Sequence, residues 1–299
     1  MKVIITGGSG FVGINLQEYL MTSFMLQPIS VRYLLNQQFD INSEAIIHLA
    51  GKAHDLKKVS NSKDYYEANF ELTKQLFDAF LKSEASVFIF MSTVKAVADE
   101  VVGILTEEAI PNPENHYGIA KLQAEQYILF HELPPRKRVY ILRPCMIHGL
   151  GNKGNLNLLY SLVSKGFIWP LGAYENQRSF LSIENLCFVI KELLTQQNIP
   201  SGIYNVADDA SLSTNELIQL IAVSQNKQAR IFHISKGFIT RMAKLGDYLH
   251  LPLNSERLQK LTESYVVSNS KIKQAIGKPF PVAAKDGLLK TFESFKNFH

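Results

Sequence analysis

The stretch Lys2-Val3-Ile4-Ile5-Thr6-Gly7-Gly8-Ser9-Gly10-Phe11-Val12-Gly13 decides the fold of this chain. Lys2 to Thr6 is a short apolar run suited to a buried strand, and Phe11 to Met21 carries helical spacing. The glycines between them satisfy GxGxxG at Gly8, Gly10 and Gly13, and also GxxGxxG at Gly7, Gly10 and Gly13. Such a turn bends tightly and lets a pyrophosphate approach the unpaired N–H groups at a helix N-terminus, where the helix dipole favours negative charge. Glycines also close ordinary βα turns. What makes this string a nucleotide-binding signal is its position directly after the opening strand.

Outward from the turn, short apolar runs alternate with helical patterns. Strands are expected at Ile29 to Leu35, Ala45 to Ala50, Ser86 to Met91 and Val139 to Leu142, with helices at Asp64 to Lys82 and Tyr117 to His131. This alternation implies βαβ units, hence an α/β Rossmann fold with a doubly wound parallel sheet over residues 1–150. Residues 151–299 are less regular and read as a smaller mixed α/β substrate-binding part, some of whose segments return to the sheet. Gly149 to Asn155 reads as a loop leaving the sheet near its carboxyl edge, Ile183 to Gln196 as a helix and Gly202 to Val206 as a strand. Ser213 with Glu216 spells a capping box. Lys227 to Leu251 is basic and amphipathic, helical from Lys236 on, and is read as a cover for a substrate cleft in preference to a membrane-surface segment.

Composition excludes classes rather than naming one. The 299 residues are 46% hydrophobic and 19% charged, which rules out a disordered or fibrous chain. No apolar run is long enough to span a bilayer, and the N-terminus lacks a charged leader with an apolar core, so a cytoplasmic protein without membrane insertion is expected. Cys145 and Cys187 form neither a disulfide framework nor a metal knuckle; they read as core thiols, and no metal site is expected. A net charge of +4 is too mild to argue for nucleic acid. Arg136-Lys137-Arg138, after Pro134-Pro135, reads as a solvated turn.

The chemistry-bearing residues lie downstream of the glycine turn. Tyr117 and Lys121 stand four apart and share a helix face, while the strand ending at Met91 delivers Ser92 and Thr93 to the edge where open α/β sheets bind ligands. A phenol that acts as a base near neutral pH needs its pKa of about 10 lowered by about three units. A lysine ammonium and a cationic nicotinamide both favour the phenolate, and a hydroxyl can hydrogen-bond the reacting oxygen. The acidic residue that holds the adenosine ribose is missing: the expected second strand runs into Tyr33-Leu34-Leu35-Asn36, and Arg32 lies within it, so NAD and NADP both stay open.

Together these features resemble the extended short-chain dehydrogenase/reductase superfamily, in its NAD-dependent epimerase/dehydratase branch acting on nucleotide-sugars. The resemblance implies catalytic Thr93, Tyr117 and Lys121, with Thr93 rather than Ser92 as the hydroxyl. It implies a cofactor, NAD or NADP, held by Gly7, Gly10, Phe11, Val12, Gly13, Asp40, Leu49, Ala50, Gly51, Asn69, Tyr117, Lys121 and Pro144. Asp40 reads equally as a plain turn aspartate or as a partner of the adenine amino group. The same resemblance turns Lys153, Asn155 and Arg178 toward a UDP-sugar, with Arg178 on its diphosphate. Dehydratases of this branch carry an Asp-Glu pair after the threonine; Val94-Lys95 stands here, which speaks against 4,6-dehydration. Ser92-Thr93-Val94-Lys95, Gly151 to Asn155 and Asp208 to Leu217 are similar to a bacterial polysaccharide-cluster subgroup of C4 reductases and epimerases. The family also implies a homodimer, for which helices 64–82 and 117–131 are candidates. One departure stands out: only about ten residues separate the second strand from His48-Leu49-Ala50-Gly51, where the family has a further βα unit.

Overall fold

The computed structural model describes residues 1–52, 61–152, 154–249 and 254–298. β1 (Lys2–Thr6) runs through the glycine turn into α1 (Phe11–Leu20), and a short turn returns the chain as β2 (Met25–Ile29). An irregular crossing leads to β3 (Ala45–His48). Next come α2 (Ser62–Tyr66), one π-helical turn (Glu67–Glu71) and α3 (Leu72–Lys82). β4 (Val87–Met91), a 3₁₀ turn (Val94–Ala96), β5 (Ile104–Leu105), α4 (His116–Phe130) and β6 (Arg138–Pro144) complete the first half. The remainder comprises β7 (Met146–His148), α5 (Asn155–Ser164), β8 (Phe180–Ser182), α6 (Ile183–Thr195) and β9 (Gly202–Val206). Then follow α7 (Thr214–Ser224), α8 (Lys236–Leu249), α9 (Ser255–Thr262), β10 (Val266–Val267), α10 (Ser270–Ile276) and α11 (Ala284–Ser294).

The main sheet has the order β2-β1-β3-β4-β6-β9, every neighbouring pair parallel. Alternation along the strands builds the two faces. Val3, Ile5, Ala45, Ile47, Val87 and Ile89 pack toward Leu16 and Leu20 of α1 and Leu186 and Ile190 of α6. Ile4, Ile46, Phe88 and Phe90 pack toward Leu76, Phe77 and Phe80 of α3 and Ile128 of α4. Burial on both faces explains why these strands read as nearly continuous apolar runs. β9, far along the chain, joins the sheet beside β6. Strand order reverses at β1, so the crevice between the carboxyl ends of β1 and β3 is the place where such a sheet accepts a ligand.

Two expectations are corrected here. The second strand is Met25–Ile29, not Ile29 to Leu35: β1 pairs it in register from Lys2↔Met25 to Thr6↔Ile29. It was hard to see because it is an edge strand, with Met25 70% exposed and Pro28 tolerated where no ladder bond is required. Leu34 and Leu35, which suggested the strand, are exposed in a turn that Asn36 closes at φ 62°. Of Arg136-Lys137-Arg138, read as a solvated turn, only Arg136 is one, exposed at φ 71°. The Lys137 ammonium donates to the carbonyls of Phe80, Ser83 and Ala85 at 2.8, 2.7 and 2.7 Å, neutralising the carboxyl end of α3. Arg138 opens β6 and donates to the Gln196 carbonyl. Both cysteines are buried core thiols, and burial pushes the Cys187 thiol up to about 12.

Ser213 caps α7 by accepting from the Glu216 N–H at 3.1 Å, and the Glu216 carboxylate accepts from the Ser213 N–H at 2.9 Å. α8 packs Ile239 and Ala243 against Trp169, Leu171 and Leu258. Among the described residues no helix is long and apolar enough to cross a membrane, and no group of three or more His, Cys, Asp or Glu could hold a metal ion.

Candidate active site

Gly7 adopts φ 70°, a conformation that favours glycine, and a Cβ there would meet the backbone N of Ala50 at 2.7 Å. At Gly13 a Cβ would lie 2.4 Å from the Gly7 carbonyl oxygen, so only glycine lets α1 approach the turn. Gly10 stands at the N-cap of α1 with no side-chain cap, and the first helical turn holds no acidic residue. The helix therefore offers N–H groups and an unneutralised positive dipole end to the crevice. These residues fit the pyrophosphate of a dinucleotide. Phe11 and Val12 form the start of that same helix.

The turn is tied to β3 by a buried chain of hydrogen bonds. The Ala50 N–H donates to Thr6 Oγ1, Thr6 Oγ1 lies 2.7 Å from His48 Nδ1, His48 Nε2 lies 3.0 Å from Thr73 Oγ1, and Thr73 donates to the Asn69 carbonyl. Because Thr73 spends its proton on Asn69, the donor order assigns a neutral imidazole protonated at Nε2. Burial, aided by the charge of Lys121, lowers the His48 pKa to about 3. The unfolded histidine, with a pKa of about 6.5, binds a proton that the folded one refuses, so stability falls as pH drops from about 6.5 toward 3, by on the order of 5 kcal/mol in total. Thermal melts of the protein should fall steeply through this window, whereas His48→Gln, less stable at neutral pH, should show a flatter profile. Parallel profiles would remove His48 as the cause.

Asn69 sits in the π-helical turn, wholly buried. Its amide donates to the carbonyls of Lys52 and Tyr65, and its oxygen accepts from the Lys52 N–H. A Cβ at Gly51 would lie 2.5 Å from Asn69 Oδ1 and 3.2 Å from Lys121 Nζ. The Leu49-Ala50-Gly51 segment thus runs from the glycine turn to Lys121. Nζ of Lys121 donates to the Met91 carbonyl at 2.7 Å and lies 4.6 Å from the centre of the Phe90 ring. Burial lowers its pKa to about 7, against an upward pull from Glu125.

Tyr117 stands in the first turn of α4, and its phenol faces the Thr93 side chain. Burial raises its pKa to about 12, with Thr93 pulling the other way. The close approach depends on Gly118, where a Cβ would meet the Lys95 carbonyl oxygen at 2.3 Å. Asn115 caps the helix by accepting from the Gly118 N–H at 2.8 Å. Thr93 Oγ1 also accepts from the Lys95 N–H, whereas Ser92 turns away and donates to the Glu125 carboxylate. Pro144 ends β6 on the same carboxyl edge.

Not every expected residue arrives there. Asp40 lies with Lys2, Ser43, Glu44 and Glu84 around a shallow cleft at the amino edge of the sheet, the opposite end from the glycine turn. The irregular crossing to β3 passes below the strands, so the structure does not bring Asp40 to the crevice. Arg178 is held by Glu263: its guanidinium donates to Glu263 Oε1 at 2.9 Å and to the Glu263 carbonyl at 3.2 Å. Asn155 is the exposed first residue of α5, and Lys153 falls outside the described residues.

Sequence reasoning passed over three features. Arg143, fully buried in β6, donates from Nε to both Glu125 oxygens at 3.0 and 3.1 Å and from Nη2 to Oε2, and Ser92 completes the set. An arginine within the apolar run Val139 to Cys145, and a glutamate one turn beyond Lys121, were the available signals. The Thr6–His48–Thr73 chain is the second. Lys95 is the third: its ammonium donates to the Asp99 carbonyl and lies 4.4 Å from the centre of the Tyr265 ring. Burial lowers its pKa, while Asp99 and Glu263 pull it up.

Residues 25–207 match the model of the NAD dependent epimerase/dehydratase family. The chain is 27% identical over 318 residues to a UDP-glucose 4-epimerase of Vibrio cholerae, covering 98% of this chain and 95% of that protein. It is 27% identical over 298 residues to an N-acetyl-alpha-D-glucosaminyl-diphospho-ditrans,octacis-undecaprenol 4-epimerase of Escherichia coli O157:H7, covering 91% and 85%. Among solved structures, RMD from Pseudomonas aeruginosa complexed with NADPH superposes with a TM-score of 0.74 at 22% identity, covering 99% of this chain and all of that one. With a glycine cradle shaped for a dinucleotide and Thr93, Tyr117 and Lys121 gathered beside it, the chain belongs to the NAD dependent epimerase/dehydratase family and is an enzyme that works with NAD or NADP.

Proposed function

We propose that this enzyme reduces a 4-keto nucleotide-sugar at C4, a UDP-2-acetamido-2,6-dideoxyhexose type substrate of surface polysaccharide synthesis. In this reading residues 1–150 hold the cofactor and most of 151–299 the sugar. One observation carries it: Tyr117, facing Thr93 at the carboxyl edge, is buried so that its pKa rises and its phenol form is favoured. A reduction needs a proton donor at the carbonyl oxygen, and a phenol with a pKa of about 12 enters the reaction in that form. When bound, the cofactor supplies hydride to C4. Thr93 polarises the carbonyl, Tyr117 gives its proton to the oxygen, and Lys121 orients the cofactor ribose and offsets the phenolate left behind. Val94 and Lys95 place no carboxylate after Thr93, which argues against water elimination.

A 4-epimerase is the second reading, supported by likeness to the Vibrio cholerae enzyme along almost the whole chain. Purified protein incubated with UDP-sugars and their 4-keto forms, with each cofactor, separates the two by NMR of the products. A reductase consumes one reduced cofactor per product. An epimerase interconverts the sugars with no net cofactor change and purifies with NAD bound.

The corrected second strand bears on the choice of cofactor. β2 ends at Ile29, so Ser30-Val31-Arg32 follows its tip, with an exposed arginine and no carboxylate. A carboxylate there would hold the 2′-hydroxyl of NAD and repel a 2′-phosphate; an arginine accommodates the phosphate. This favours NADP(H). Arg32→Ala should raise the KM for NADPH about tenfold or more while leaving that for NADH unchanged. Equal changes for both would refute the assignment.

A further inference from the structure

α8 carries two apolar stripes, and the fold uses one. Ile239, Ala243 and Gly246, spaced i, i+4, i+7, are buried, with Ile239 and Ala243 against Trp169, Leu171 and Leu258. Phe238, Met242, Leu245 and Leu249, spaced i, i+4, i+7, i+11, form the neighbouring stripe, and all four are exposed. Tyr248, 82% exposed, stands on its outer flank with Arg241 and Lys244. Asp247, the acidic residue of this helix, accepts from the N–H and hydroxyl of Ser255, so it does not neutralise that flank. Phe232, in the segment leading into α8, donates its N–H to the Trp169 carbonyl, and Phe167, Ile168 and Phe232 add three more exposed apolar side chains beside it.

We propose that α8 is the surface by which this enzyme docks on an anionic lipid bilayer. An apolar stripe of Phe, Met and Leu with an amphipathic tyrosine and cationic side chains along its edge matches the headgroup boundary, where apolar burial and attraction to anionic lipid add. Each lysine or arginine near such a surface contributes on its own account, and the attraction weakens with salt. A second copy of this chain is a poorer occupant. Two-fold antiparallel pairing of the stripe would set the Arg241 and Lys244 flank against its own image, like charge on like charge. α8 lies against α9, whose Lys260 carbonyl accepts from the Arg178 guanidinium. A docked molecule therefore carries Arg178 two helices from the lipid.

Co-sedimentation of the full chain with vesicles of phosphatidylglycerol and phosphatidylcholine, against pure phosphatidylcholine, tests this. Binding is expected to the anionic vesicles, to fall with added salt, and to drop about tenfold or more in both F238S/L245S and R241S/K244S. Circular dichroism should match the parent in both variants, and binding is read without substrate, which keeps this test apart from that of the proposed reaction. The proposal is overturned if the parent fails to bind, or binds both vesicle types equally. It also fails if light scattering shows F238S/L245S turning an oligomer into a monomer, because the stripe would then be a protein interface.

Discussion

Tyr117→Phe is expected to lower turnover by ~10²- to 10⁴-fold, the range general acid–base catalysis contributes, while leaving cofactor affinity nearly unchanged. The substitution removes one oxygen from the first turn of α4 and keeps the ring that packs there. Thr93 still accepts from the Lys95 N–H, and Lys121 still donates to the Met91 carbonyl, so the surrounding hydrogen bonds survive the change. The cradle at Gly7, Gly10 and Gly13 lies on β1 and α1 and does not depend on the phenol. Steady-state kinetics together with calorimetric titration of NADPH separates the two quantities. Turnover within a few-fold of the parent would remove Tyr117 from the chemistry. A parallel collapse of cofactor binding would mean that its role is structural.

The second large effect concerns stability. Glu125→Leu should destabilise the fold by about 3–5 kcal/mol, because it strands the buried Arg143 guanidinium without its counter-charge. Both side chains are almost wholly inaccessible, and Nη1 of Arg143 already lacks a partner among the described residues. Ser92 loses its acceptor as well. Replacing both members, E125L/R143M, should recover most of the loss, since a buried pair exchanged for apolar side chains of similar size is close to neutral. Urea unfolding of the parent, both single variants and the double variant closes the cycle. A mild single-variant effect, or a double variant no better than the sum of the singles, would contradict the paired burial. Glu125 also pulls up the pKa of Lys121, so it links the stability of the sheet edge to the charge of that lysine.

What could be read without coordinates was local. The glycine turn, β9 at Gly202–Val206, the Ser213–Glu216 cap and helix α4, expected from Tyr117 and found from His116, each follow from residues close together in the chain. Turn geometry, capping and periodicity act over a few residues, so they leave their mark in the order of side chains. The misreadings were also of one kind. β2 was misplaced because an edge strand needs no apolar alternation, and its register is set by β1 rather than by its own side chains. Lys137 looked solvated because its three carbonyl partners belong to the end of α3 and the loop after it.

By itself, then, the sequence determined the doubly wound parallel sheet and the glycine turn between its first strand and first helix. Each is encoded by spacing within one βα or αβ unit. Only the tertiary structure decided that Arg32 follows the tip of β2, that Asp40 sits at the wrong edge, and that Arg178 is held by Glu263. It alone showed that burial raises the Tyr117 pKa and lowers that of His48, and that Glu125 is bound to Arg143. The physical reason is common to all of these. Burial, and the charge that faces a side chain across the fold, come from segments distant in the chain, and no pattern along the sequence records them.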